Sequence, residues 1–87
     1  MARVRFIKEV KSKDPQAKNL FFQWCQYLYD DGSSEYGFRF IWRRDDNSLQ
    51  GARGQARIPS VKIIKELIDK ATEEGWAENT DEDVKDW

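Results

Sequence analysis

Residues 20–44 read LFFQWCQYLYDDGSSEYGFRFIWRR, and the period of this stretch decides the fold. Leu20, Phe22, Trp24 and Leu28 alternate with Phe21, Gln23, Cys25, Tyr27 and Tyr29. After DDGSSE the alternation resumes, with Tyr36, Phe38, Phe40 and Trp42 set against Gly37, Arg39, Ile41 and Arg43. A repeat of two marks a half-buried strand, and Asp, Gly and Ser between two such runs are turn residues, so the segment is a hairpin. Placing Trp24 opposite Trp42 and Leu28 opposite Phe38 gathers Leu20, Phe22, Trp24, Leu28, Phe38, Phe40 and Trp42 on one face, with Gln26 its polar member. The other face then shows Phe21, Gln23, Tyr27 and Tyr29 beside Arg39 and Arg43.

Two flanking segments extend the same rule. Residues 2–10 set Ala2, Val4 and Phe6 inward and Arg3, Arg5, Ile7 and Glu9 outward. Residues 53–58 set Ala56 and Ile58 inward and Arg53, Gln55 and Arg57 outward. The stretch AKNL, residues 17–20, could instead begin a short helix.

The period changes to 3.6 in SVKIIKELIDKATEEG, residues 60–75, where Ile64, Leu67, Ile68 and Ala71 share one side and Lys62, Lys65, Glu66, Asp69, Lys70 and Glu73 are left for water. Ser60 suits the N-cap, Gly75 suits a left-handed C-terminal position, and Trp76 then folds back over Ala71. The expected architecture is α+β: a four-stranded antiparallel sheet, element order ββββα, its apolar face covered by a helix from about Val61 to Glu74. Residues 1–77 form one domain and residues 78–87 an acidic tail.

An 87-residue chain buries only about 60 to 65% of its unfolded surface, which leaves one thin core and little room for a deep cleft. Five Phe, four Trp and three Tyr nevertheless supply enough large apolar bodies for it to fold. A lone cysteine forms no internal disulfide, and the N-terminal stretch has no apolar run of export or membrane-spanning length, so the expected setting is the cytoplasm, without a membrane partner.

Histidine is absent, which removes the usual general base near neutral pH and the imidazole metal ligand. Cys25 sits in an apolar run and reads as a small buried hydrophobe. Asp30 with Asp31 and Asp45 with Asp46 lie in DDGSS and DDNS, where Asp favours local backbone bonds over catalysis. DDNSLQG lacks the distal Glu of a calcium loop, and GARGQAR is explained by a turn. The expectation is a non-enzyme with no metal and no cofactor.

The net charge of −1 conceals an asymmetry: eleven Lys/Arg against seven Asp/Glu up to residue 57, then four against nine. Strand parity puts six of the seven arginines on the uncovered sheet face, where Glu9 is the one carboxylate it places. Arginine forks grip phosphates and rings stack on bases, so the expected function is binding of single-stranded DNA or RNA. Arg3, Arg5, Arg39, Arg43, Arg53 and Arg57 would hold phosphates, and Phe21, Tyr27 and Tyr29 would stack bases. The alternative is a protein-interaction or homodimerisation module on the same face, because Phe21 there calls for cover and Arg beside Tyr needs no ligand.

The tail AENTDEDVKDW offers Asp81, Glu82, Asp83, Asp86 and Trp87 either to a partner or to the arginine face, or serves only as a solubilising end. Its tip is similar to the acidic, aromatic-ended tails of bacterial single-stranded DNA-binding proteins, although those end in Pro-Phe and this ends in Asp-Trp. Four strands followed by a helix also resembles the single-strand-binding transcriptional coactivator domains, whose basic, aromatic sheet face holds the strand. Their glycine-basic-glycine turn is only approximated by RGQARIPS, so no residue roles carry over.

Overall fold

The computed structural model describes residues 3–46, 48 and 57–80. Strand β1 spans Arg3–Lys11, a single 3-10 turn Pro15–Ala17, β2 Leu20–Leu28, β3 Ser34–Trp42 and helix α1 Val61–Glu74. The sheet is antiparallel in the order β1-β2-β3. It has three strands where the sequence predicts four. Arg57 and Ile58 pair with no strand among the described residues. Instead the Trp42 indole donates to the Arg57 carbonyl at 2.7 Å and Ile58 packs on the core. Pro59, which has no N–H to donate, follows at once. Residues 53–56 lie outside the described residues.

The β2–β3 hairpin keeps its predicted faces in a different register. Leu20 pairs with Trp42, Phe22 with Phe40 and Trp24 with Phe38, four residues from the expected alignment. The turn sets this: Tyr29 N–H bonds the Ser33 carbonyl at 2.9 Å, and Gly32 N–H bonds the Tyr29 carbonyl at 3.0 Å. Gly32 takes the positive φ of 88° that closes the loop, and Asp31 accepts from Ser33 N–H at 2.9 Å. An even slip preserves parity, so the apolar face survives the correction.

On that face Leu20, Phe22 and Trp24 are buried against Ile63, Leu67 and Ala71 of α1, with Val10, Ala17 and Trp76. The Phe22 ring lies 4.7 Å from Phe40, 5.4 Å from Phe38 and 5.6 Å from Trp76. Burying each such ring contributes about 1.5–3 kcal/mol, and the ring geometry adds about 0.5–1.5 kcal/mol per pair. Gly75, at φ 89°, ends the helix as expected and lets Trp76 N–H return to the Ala71 carbonyl at 3.2 Å. Ser60 occupies the N-cap, but its carbonyl rather than its hydroxyl serves the first turn.

The helix is rolled relative to its predicted face. Ile63 is buried, Ile64 only half-buried, and Ile68 is 40% exposed. At 100° per residue, Glu66 and Lys70 flank the Ile63 side. Both were expected in water, yet both are held. Glu66 accepts from the Ser12 hydroxyl and from Lys13 N–H, and Lys70 donates to the Lys11 carbonyl. Those anchors turn the buried stripe away from Ile68.

Strand β1 departs furthest from expectation. Phe6 pairs with Cys25, but the next pair is Lys8 with Trp24, so Ile7 is an inserted bulge residue. Directly opposed residues share a face. Val4 and Phe6, expected inward, therefore lie on the uncovered side with Tyr27 and Cys25, and Arg3 and Arg5 lie on the helix side opposite Leu28 and Gln26. Beyond the bulge Val10 reaches the core, Ile7 packs against it, and Glu9 keeps its predicted outward place.

Candidate docking face

The face opposite α1, uncovered in the sense that no helix among the described residues lies on it, is assembled from three strands. Edge strand β1 contributes Val4, Phe6, Glu9 and Lys11; central β2 contributes Phe21, Gln23, Cys25 and Tyr27; β3 contributes Glu35, Gly37, Arg39 and Ile41. Arg43 follows β3, fixed by its N–H to the Asn19 carbonyl at 2.9 Å.

A polar chain runs across the middle of this face. Arg43 Nη2 contacts Glu9 Oε1 at 2.9 Å, and the same oxygen accepts from Gln23 Nε2 at 2.8 Å. Gln23 Oε1 in turn accepts from Arg39 Nε at 2.7 Å and from Cys25 Sγ at 3.7 Å. Gln23 is fully buried, and bonding both ends of its amide is what makes that burial tolerable. The Arg43 guanidinium also stands 4.8 Å from the Phe21 ring centre and 5.4 Å from that of Phe6, with Lys11 Nζ 5.9 Å from Phe21. The Tyr27 ring lies over Gly37, where an added Cβ would meet it at 3.7 Å.

Burial pushes the Cys25 thiol up, against the lowering pull of the Arg39 charge, so at neutral pH it is protonated and a poor nucleophile. Burial likewise raises the Tyr27 phenol. Asp31 and Asp46 are lowered chiefly by hydrogen bonds from Ser33 and Ser48, the local turn bonds their sequence contexts implied. Among the described residues no group of three or more carboxylate or thiol side chains is arranged to hold a metal ion.

The six-arginine platform does not form. Of its members, Arg39 and Arg43 share the face with Phe21 and Tyr27. Arg3 and Arg5 are on the opposite side, Arg5 Nη2 bonding Gln26 Oε1 at 2.9 Å. Arg57 is exposed on the segment before α1. Tyr29 sits in the hairpin turn and donates to Glu35 at 3.2 Å, and Glu35 is a second carboxylate on the face where only Glu9 was expected. Arg53, Asp81, Glu82, Asp83, Asp86 and Trp87 lie outside the described residues. Val4, Phe6 and Lys11 are members that the alternation rule missed. The signal for them was available: Ile7 and Val10, three apart, cannot both serve a core on a strict period of two.

No helix among the described residues is long and apolar enough to cross a membrane. Comparison of the chain with protein-family models, with curated proteins and with solved structures gives no match.

Proposed function

We propose that this domain is a non-enzymatic, cytoplasmic protein-interaction module that docks a second copy of itself through the uncovered sheet face. One observation carries the reading: two arginines of the face are held within it, Arg43 by the Glu9 carboxylate and Arg39 by the Gln23 amide, while Val4 and Phe6 remain 37% and 45% exposed. A face that carries both charge signs beside exposed apolar groups suits an isologous contact, because each copy offers both signs to the other. A single, buried cysteine fits a reducing compartment. Light scattering across concentration tests the reading. A dimer that Phe6→Glu dissociates supports it, and a monomer at every concentration removes it.

Binding of single-stranded DNA or RNA is the second reading. It is supported by the cations of Arg43 and Lys11 poised over the Phe21 ring, with Tyr27 on the same face. It ranks lower because a phosphate must compete with Glu9 for Arg43. Titration of a labelled oligothymidylate at low and moderate salt decides it: salt-sensitive binding lost on Phe21→Ala supports it, and no binding at low salt excludes it.

A further inference from the structure

Strand β1 is an edge of the sheet, and among the described residues no strand pairs with its free side. Its two halves differ. Val10 is buried in the core, whereas every residue from Arg3 to Phe6 is exposed. The exposed half has two chemical sides: Arg3 and Arg5 on the helix side, Val4 and Phe6 on the other. Over the whole strand four cations, Arg3, Arg5, Lys8 and Lys11, face one carboxylate, Glu9, which is already engaged by Arg43 and Gln23.

An open edge offers backbone N–H and C=O groups to any extended chain, so the side chains on its two faces select which chain pairs. A second β1 is selected against. Continuing the sheet with both helices on one side would set arginine against arginine, and like charges directly opposed weaken pairing. A strand with carboxylates at those positions gains an opposite-charge pair at each.

We propose that the Arg3–Phe6 edge binds an extended acidic segment of a partner protein. Carboxylates at alternate positions of that segment meet Arg3 and Arg5, and the apolar residues between them pack beside Val4 and Phe6. This goes beyond docking through the sheet face, since it uses the edge and residues on the other side of the sheet.

The test uses the full chain and two labelled hexapeptides, one alternating Glu and Val, the other alternating Lys and Val. The Glu-Val peptide binds and protects amides of Arg3–Phe6 from hydrogen exchange, while the Lys-Val peptide does not bind. The double substitution R3E/R5E weakens Glu-Val binding by about tenfold and confers binding of the Lys-Val peptide. The neutral pair R3Q/R5Q weakens Glu-Val binding without conferring the other, which keeps the test valid should the reversal unfold the chain. Equal binding of both peptides, binding of neither, or Glu-Val binding unaffected by either double substitution overturns the proposal. A monomer by light scattering would remove the face-to-face dimer and leave each of these outcomes as stated.

Discussion

The Ser12 hydroxyl donates to Glu66 Oε1 at 2.6 Å across 54 positions of sequence, and Lys13 N–H donates to the second oxygen of the same carboxylate at 2.7 Å. Ser12 is itself buried and accepts from Asp14 N–H at 3.0 Å, so one carboxylate clasps the helix to the corner where β1 ends. Burial opposes the charged form of Glu66, but the Lys13 and Ser12 hydrogen bonds and the Lys70 charge outweigh it and hold its acidity below the ordinary carboxylate value. Glu66→Ala should cost about 2 kcal/mol at neutral pH, measured by urea unfolding. A lowered folded-state pKa means that this contribution is complete above the unfolded value and is lost as pH falls through the folded one. The gap between wild type and Glu66→Ala should therefore narrow in acid. A gap that is constant with pH would show that the carboxylate charge is not what holds the clasp.

The roll of the helix has a separate consequence. Ile63→Ala empties a buried site and should cost about 2–5 kcal/mol, a large share of the roughly 5–15 kcal/mol that stabilises a typical domain. Ile68→Ala, at a position 40% exposed, should cost less than about 1 kcal/mol. The helical spacing read from sequence alone predicts the reverse order, so the two denaturation midpoints decide between the faces.

That reversal marks where sequence legibility ended. The hairpin faces were legible because Phe22, Trp24, Phe38 and Phe40 are all even-numbered, and a register error of four residues cannot move a side chain across the sheet. The extent of α1 was legible from Ser60 and Gly75. What failed depended on contacts distant in sequence. The helix face turns on Glu66 and Lys70 finding partners at Lys11–Lys13, and the placement of Arg3 and Arg5 turns on the bulge at Ile7. Local alternation carries neither fact. The candidate site suffered because Arg3 and Arg5, two of its six proposed arginines, sat on a segment placed in this way.

Cys25 offers a probe of the network beneath the face. It is fully buried, and its thiol is raised by burial, so alkylation by iodoacetamide should proceed about 1,000-fold more slowly in native buffer than in urea and follow global unfolding. Because the folded value is the higher one, the thiol's contribution to stability is complete below the ordinary value of 9.0 and is lost as pH rises past it. Fast alkylation of the native chain would show that Gln23 and Arg39 do not seal the site.

The polar chain itself can be dissected by a double-mutant cycle. Arg43→Met leaves the Glu9 carboxylate with only Gln23 as partner in a part-buried site and should cost about 1–3 kcal/mol. Adding Glu9→Gln should restore part of that loss, since a neutral amide needs no counter-charge. Costs that simply add would mean that Arg43 acts through contacts other than Glu9, such as those with Phe6 and Phe21.

The bulge makes an asymmetric demand on β1. With Ile7 present, Phe6 faces Cys25 and Lys8 faces Trp24, so removing Ile7 brings two already adjacent pairs into an unbroken ladder and changes no face. Deleting Ile7 should therefore preserve the fold, keep Phe6 on the uncovered side, and cost only the packing of one half-buried side chain, about 1–2 kcal/mol. Deleting Ile7 and Glu9 together does the opposite. With the spare residue already gone, Phe6, Lys8 and Val10 must cover the four positions opposite Cys25, Trp24, Gln23 and Phe22, so either Val10 leaves the core or Phe6 and Val4 cross to the helix side. That variant should lose several times more stability. Urea unfolding of the single and the double deletion measures the contrast, and equal losses would mean that the pairing of β1 is not interrupted at Ile7.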